Sequence, residues 1–388
     1  MNLKSLLLSS DENTVRILRR VLSDLEIGAE HVSTVDGAIR LITRTRFDAI
    51  IVDSASIKAA GSLMKAAQAA PVNKRALLIV LVEPSVGLKG GFEMGAHFVL
   101  YKPLAVERAK SSFRAVRALI KRERRLQLRV PVQVPVECKG TNHYKAKTID
   151  LCEGGMALQF SRRVTKETSF KFCLELPGLG RKLEILGELA WAGTDDQVGV
   201  RFKNPTDEQR QLLRDWLAMH LPESEQDDPL ICRLTDMSIG GCYLTTDSPF
   251  PRGARVILSI KSGKAEMHAG GVVLVTHPEF GMGVQFLQTT AEQQDQVHNI
   301  ITALRKTGET SPELHVEADG MEEQSPADGL GKFKGFAGLG PPRGAAPNEE
   351  LAPVDALVEL FREKYQLPVE TFMQELREQR QAETTHSR

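Results

Sequence analysis

The sequence predicts a multidomain chain: an α/β domain with a doubly wound parallel sheet, two small antiparallel β-barrels, a disordered linker and a C-terminal helix. Three observations predict it. Short continuous apolar runs alternate with helical patterns over the first 120 or so residues, as in a parallel sheet covered on both faces. From residue 130 the texture changes to short alternating strands broken by Gly, Pro and Asn-Pro turns, the pattern of a small barrel or sandwich. That pattern then repeats: Thr148-Ile-Asp150-Leu-Cys152-Glu-Gly-Gly155 lines up with Leu234-Thr-Asp236-Met-Ser238-Ile-Gly-Gly241, an offset of 86 residues. Farther on, Gly199-Val-Arg-Phe202 lines up with Gly283-Val-Gln-Phe286 at an offset of 84, so a two-residue loop deletion separates the copies.

Length and composition set the frame. At 388 residues the chain has room for two to four domains, and its 41% apolar content suffices for packed cores. No apolar run approaches a membrane span, and the N-terminus lacks the pattern of a secretory signal, so a cytoplasmic protein is expected. Five cysteines without CxxC spacing suggest neither a disulfide framework nor a zinc site, and no metal site is assigned. Fifty basic and fifty acidic side chains balance, which argues against a nucleic-acid partner. The absence of GxSxG, HExxH or P-loop patterns and of a ligand-spaced histidine cluster points away from an enzyme.

In chain order, residues 4–9 read as a buried strand, and a helix starting at Asp11-Glu12-Asn13 carries Val15, Leu18, Val21, Leu22 and Leu25 at helical spacing. A weak strand at 30–34, clearer ones at 47–53 and 76–82, and a fifth ending at Lys102-Pro103 follow. Functional groups in such folds gather at the carboxyl ends of the strands, where Asp11, Asp53 and Lys102 fall. This stretch, residues 1–122, resembles a receiver domain of two-component signalling. The resemblance makes Asp53 the candidate phosphoacceptor, with Asp11 and Lys102 beside it and Mg²⁺ required only if the domain is active. Ser10 stands where the family has a second acid and Val82 where it has a Thr or Ser, so phosphotransfer is not expected and a protein-interaction role is.

The last helix of this domain runs from near Val106 into Arg124-Arg125 without a glycine or proline, and residues 108–129 carry nine Lys/Arg against one Glu. Strands are expected at 130–137, 144–151, 155–160, 169–175, 182–192 and 197–203, then a helix capped by Thr206. Arg125 and Arg129, four apart, followed by Asp150-Leu-Cys152-Glu-Gly-Gly155, resemble the RxxxR and (D/N)xSxxG motifs of PilZ domains, with cysteine in the serine position. The resemblance implies a cyclic di-GMP ligand held by Arg124, Arg125, Arg129, Asp150, Cys152 and Gly155 in a domain spanning 123–222. Two planar guanidinium forks suit its phosphates, and a carboxylate suits a guanine edge. A second PilZ-like domain, 228–306, holds the complete motif (Asp236, Ser238, Gly241) as a candidate second site, but has no RxxxR, and the segment before it is acidic.

Residues 307–352, rich in Gly, Pro, Glu and Ser, read as the disordered linker. Residues 353–381 form an amphipathic helical tail, interrupted at Leu367-Pro368, whose apolar stripe is expected to dock in cis or on another protein. The functional expectation is a bacterial signalling protein that binds cyclic di-GMP through the first barrel and relays it to the receiver-like domain and a protein partner, contacted through that domain or the C-terminal helix. The alternative is a non-binding scaffold built from the same domains.

Overall fold

The computed structural model describes residues 3–53, 57–162, 169–193, 196–203, 205–220, 229–287, 291–308, 311–321 and 355–386. The chain divides into two compact units, one of residues 1–120 with 228–388 and one of residues 121–227.

The first unit begins with five parallel strands: β1 (Leu3–Leu8), β2 (Ile27–Val32), β3 (Ala49–Asp53), β4 (Leu77–Val82) and β5 (Phe98–Tyr101), in the order β2-β1-β3-β4-β5. Every residue of β3 and β4 is buried, which is why these strands are continuous apolar runs rather than alternating ones. The intervening helices are α1 (Glu12–Asp24), α2 (Val35–Ile42), α3 (Ile57–Ala69) and α4 (Gly87–Glu93). Helix α5 (Val106–Gln127) follows β5; Phe113, Val116 and Leu119 on it are buried in the sheet's core. Its residues from Lys121 onward belong to the second unit.

That second unit is a closed antiparallel barrel. Strands β6 (Val130–Pro131), β7 (Pro135–Lys139), β8 (His143–Cys152), β9 (Gly155–Phe160), β10 (Ser169–Glu175), β11 (Lys182–Ala192) and β12 (Gln197–Phe202) follow the order β6-β8-β7-β10-β11-β12-β9, and pairing of β8 with β9 closes the ring. The single strand expected over 130–137 is broken in two. Pro131 and Pro135 lack N–H donors, and between them the buried Thr148 hydroxyl donates to Val132 O at 2.5 Å and accepts from Val134 N at 2.9 Å. Helix α6 (Asp207–Ala218), with a Thr206–Gln209 capping box, buries Leu212, Leu213, Trp216 and Leu217 in the barrel core.

The second barrel lies in the first unit. Its strands β13 (Leu230–Met237), β14 (Gly241–Thr245), β15 (Ala254–Ser262), β16 (Ala265–His277) and β17 (Gly281–Phe286) are followed by α7 (Ala291–Thr307) and β18 (Glu313–Met321), and they close as β13-β14-β17-β16-β15-β18. The linker expected over 307–352 is corrected here, because Glu313–Met321 is the staple of the barrel, paired with both β13 and β15. Its composition is acidic, but Leu314 and Val316 point inward while Glu313, His315 and Glu317 point out, the alternation of a half-buried strand. Residues 322–352 of that expectation lie outside the described residues.

The tail forms two helices, α8 (Ala356–Lys364) and α9 (Val369–His386), broken at Leu367-Pro368. Leu357, Val358, Phe361, Phe372 and Leu376 bury themselves against Tyr243, Val272, Leu274 and Val275 of the second barrel. Beneath them, Tyr243 pairs with His277 Nδ1 at 2.8 Å, and His277 Nε2 lies 3.3 Å from Leu367 O. Tyr365 lies under the Arg252 guanidinium, 3.7 Å from the ring centre, and near Phe92 of α4.

Two outcomes test this packing. Leu314→Ala should cost about 2–4 kcal/mol in urea unfolding, the cavity cost of a buried leucine, whereas a linker residue would cost nothing measurable. Burial lowers the pKa of His277 from the usual 6.5 to about 4, so the folded protein holds it neutral. The unfolded chain then binds the extra proton as pH falls below about 6.5. Stability should therefore decline from there toward about pH 4, by up to roughly 3 kcal/mol, and His277→Gln should flatten that part of the profile.

Candidate functional site

In the first barrel the candidate site sits where the end of α5 meets the β8–β9 turn. Arg129, in the short segment between α5 and β6, donates from Nη1 to Asp150 Oδ1 at 2.6 Å. That oxygen also accepts from Ala157 N at 3.2 Å, across the irregularity in the β8–β9 register. The first arginine motif and the acid of the second motif, separated by 21 residues, thus meet in space. Arg124 and Arg125 lie half-buried in the last turn of α5.

The rest of the motif is structural in its local chemistry. The Cys152 thiol is buried, donates to Gly155 O at 3.2 Å, and is pushed up in pKa by that burial, so it behaves as a small neutral group. A β-carbon on Gly155 would collide with Val200 O of β12, so the glycine is demanded by close approach of the two strands. Gly241 meets Val284 O in the same way. Beside Gly154 there is open space: a β-carbon there would meet nothing within 4 Å.

A cluster of charged side chains beside the motif escaped the sequence reading. Arg122, the α5 residue one turn before Arg125, forms a bidentate pair with Glu153 inside the motif, at 2.5 and 2.6 Å, and Arg214 of α6 adds a third contact at 3.4 Å. The side chains of Arg122 and Glu153 are 8% and 12% exposed, so this clamp is largely desolvated and ties the helix end to the turn. Only the basic run of α5 hinted at it.

The second barrel repeats the turn but not its surroundings. Ser238 Oγ receives Gly241 N at 3.1 Å, as the turn requires. Ser238 Oγ also donates to Asp355 Oδ1 at 2.9 Å, and Gly240 N donates to Asp355 Oδ2 at 2.9 Å. Asp355 is at the same time the N-cap of α8, accepting from Val358 N. Arg380 of α9 pairs through Nε with Asp236 Oδ2 at 2.8 Å and donates to Thr235 O. Asp236, Ser238 and Gly241 are therefore brought together, with tail residues upon them.

In the α/β domain Asp53, Lys102 and Asp11 converge at the carboxyl edge of the sheet. Lys102 Nζ lies 3.1 Å from Asp53 Oδ1. Burial alone would lower the lysine, but the hydrogen bond and charge of Asp53 outweigh it and its pKa is raised. Ser9, unremarked in the sequence, donates from Oγ to Asp53 Oδ2 at 2.7 Å. Asp11 also caps α1, accepting from Thr14 Oγ1 at 2.6 Å and Asn13 N at 3.1 Å; these bonds hold its pKa below the usual value. Among the described residues no group of three or more His, Cys, Asp or Glu could hold a metal ion.

Residues 122–219 and 220–303 each match the PilZ domain. The chain carries two PilZ domains. The second match stops short of β18, which the barrel nonetheless needs to close. Among solved structures, similar ones include the receiver domain of a sensor histidine kinase from Pseudomonas aeruginosa, with magnesium in its active-site cleft (19% identity, TM-score 0.26, covering 28% of this chain and 93% of that one). Others are the PilZ domain of CeSA from a cellulose-synthesizing bacterium (19% identity, TM-score 0.21, covering 24% and 99%) and the PilZ domain with c-di-GMP of YcgR from Escherichia coli (12% identity, TM-score 0.21, covering 24% and 87%). No curated protein matches the chain. No helix among the described residues is long and apolar enough to cross a membrane.

With both oxygens of Asp53 engaged and Asp11 committed to its helix, acetyl phosphate with Mg²⁺ should leave no stable aspartyl phosphate. Phosphate-affinity electrophoresis checks this, and stoichiometric labelling that vanishes in Asp53→Asn would reverse it.

Proposed function

We propose that the protein is a signalling protein that binds cyclic di-GMP through its first PilZ domain and relays occupancy along α5 to the receiver-like domain and its partners. The observation that carries this reading is the 2.6 Å meeting of Arg129 with Asp150, which joins the two halves of the binding motif in one place. The ion pair is partly solvent-exposed, so rearranging it costs little, about 0–1 kcal/mol. The ligand's phosphates would take the guanidinium forks of Arg125 and Arg129, with Arg124 beside them, and Asp150 would turn to accept from a guanine N–H. The open space beside Gly154 leaves the turn accessible. Cys152 and Gly155 contribute by shaping that turn.

The relay rests on the Arg122–Glu153 clamp. It links the final turns of α5, which carry Arg124 and Arg125, to the residue inside the motif, so a ligand that moves one moves the other. Such a ligand biases the helix end only by its differential affinity for the two arrangements.

The buried Cys152, a weak hydrogen-bonding group where the family motif has a hydroxyl, favours the second reading, a non-binding scaffold. Titration calorimetry separates the two. Arg125→Ala and Arg129→Ala should each weaken binding of cyclic di-GMP by roughly 1.5–3 kcal/mol, the loss of a charged hydrogen bond. Unchanged binding in the double variant would exclude this site. Ligand should also slow amide exchange in 118–135 together with 148–156 if the relay operates.

A further inference from the structure

We propose that the motif of the second PilZ domain is a peptide-binding site whose ligand is the chain's own helical hairpin α8–α9, held in the position where a nucleotide would otherwise bind. Three polar groups of the motif have tail partners. Asp236 takes Arg380, while Ser238 Oγ and Gly240 N take the two oxygens of Asp355. The arginine that this barrel lacks upstream is thus supplied from the tail. Arg380 stands on Asp236 as Arg129 stands on Asp150 in the first barrel.

The apolar contacts match this polar scheme. In the first barrel Gly199 of β12 is covered by the indole of Trp191 from the neighbouring strand β11, the barrel's own residue. The equivalent Gly283 of β17 is covered by the Phe361 ring of α8, 3.0 Å from where its β-carbon would lie. The two turns differ in the same sense. The space beside Gly154 is open, whereas a β-carbon on Gly240 would lie 2.7 Å from the carboxyl carbon of Asp355.

Charge then decides which ligand the site takes. Asp355 places a carboxylate on the N–H and hydroxyl that would meet an anion, in a motif that already carries the carboxylate of Asp236. A phosphodiester could enter only by displacing Asp355, and without Arg380 it would meet the Asp236 carboxylate unscreened by that guanidinium. Covalent attachment of the tail raises its local concentration above that of any free competitor. The recognition elements are those of a helix start: a capping aspartate, the Leu357-Val358-Phe361 face behind it, and an arginine 25 residues on.

Hydrogen exchange on the full chain tests this. Ser238→Ala and Arg380→Ala each leave the Asp355 cap of α8 intact and remove one contact between motif and tail. Each should speed amide exchange in 357–364 by about fivefold, the loss of one hydrogen bond or more, while β1 keeps its protection as the internal reference. Saturating cyclic di-GMP should leave exchange in 357–364 unchanged. Three results would each overturn the assignment: unaltered exchange there in both variants, acceleration by the dinucleotide, or protection that depends on protein concentration, which would mean a second copy supplies the tail.

Discussion

The close approach of the motif glycine to the strand across from it is the constraint on which both barrels depend. Gly155 lies against Val200 O and Gly241 against Val284 O, with no room for a β-carbon in either place. Any side chain would push the β8–β9 or β13–β14 turn off its neighbour. It would move Asp150 or Asp236, the paired Cys152 or Ser238, and the close of the barrel together. The glycine is therefore a packing requirement, and the placement of the motif's polar groups follows from that packing. The same turn has been put to two uses: open and set against an arginine-bearing helix end in one copy, covered by a carboxylate and a guanidinium from the tail in the other.

What could be read from the sequence was whatever repeats or alternates locally. The buried parallel strands announce themselves as apolar runs, α6 by Thr206 and Gln209, and the two barrels by their 86- and 84-residue offsets. The misses share a cause, which is that they depend on partners far along the chain. Asp355 and Gly240 are 115 residues apart, and Arg122 and Glu153 are 31 apart, so no spacing rule records either pair. Strand β18 was hidden differently. Its two inward apolar residues, Leu314 and Val316, are too few to stand out in an acidic stretch, and only the open edges of β13 and β15 make that alternation meaningful.

In the α/β domain the carboxyl edge of the sheet is held by hydrogen bonds among its own residues. With serines after β1, Ser9 becomes a donor that, together with Lys102, satisfies Asp53, and Asp11 is left to cap its own helix. The carboxylate is hydrogen-bonded from within the domain, and each of its oxygens has a partner.

The position of β18 also sets an order for synthesis. All strands of the first barrel are complete at Phe202, and its capping helix at Ala218, so that unit can close while the rest of the chain is still being made. The second barrel cannot. Strands β13 and β15 each wait with an unpaired edge until β18 has been added, and the surface that receives α8 and α9 stays uncovered until those helices have been made. Of the two copies of one fold, the later is thus the more exposed to edge pairing with nascent neighbours, and a chain that stops before residue 313 leaves that edge permanently unpaired.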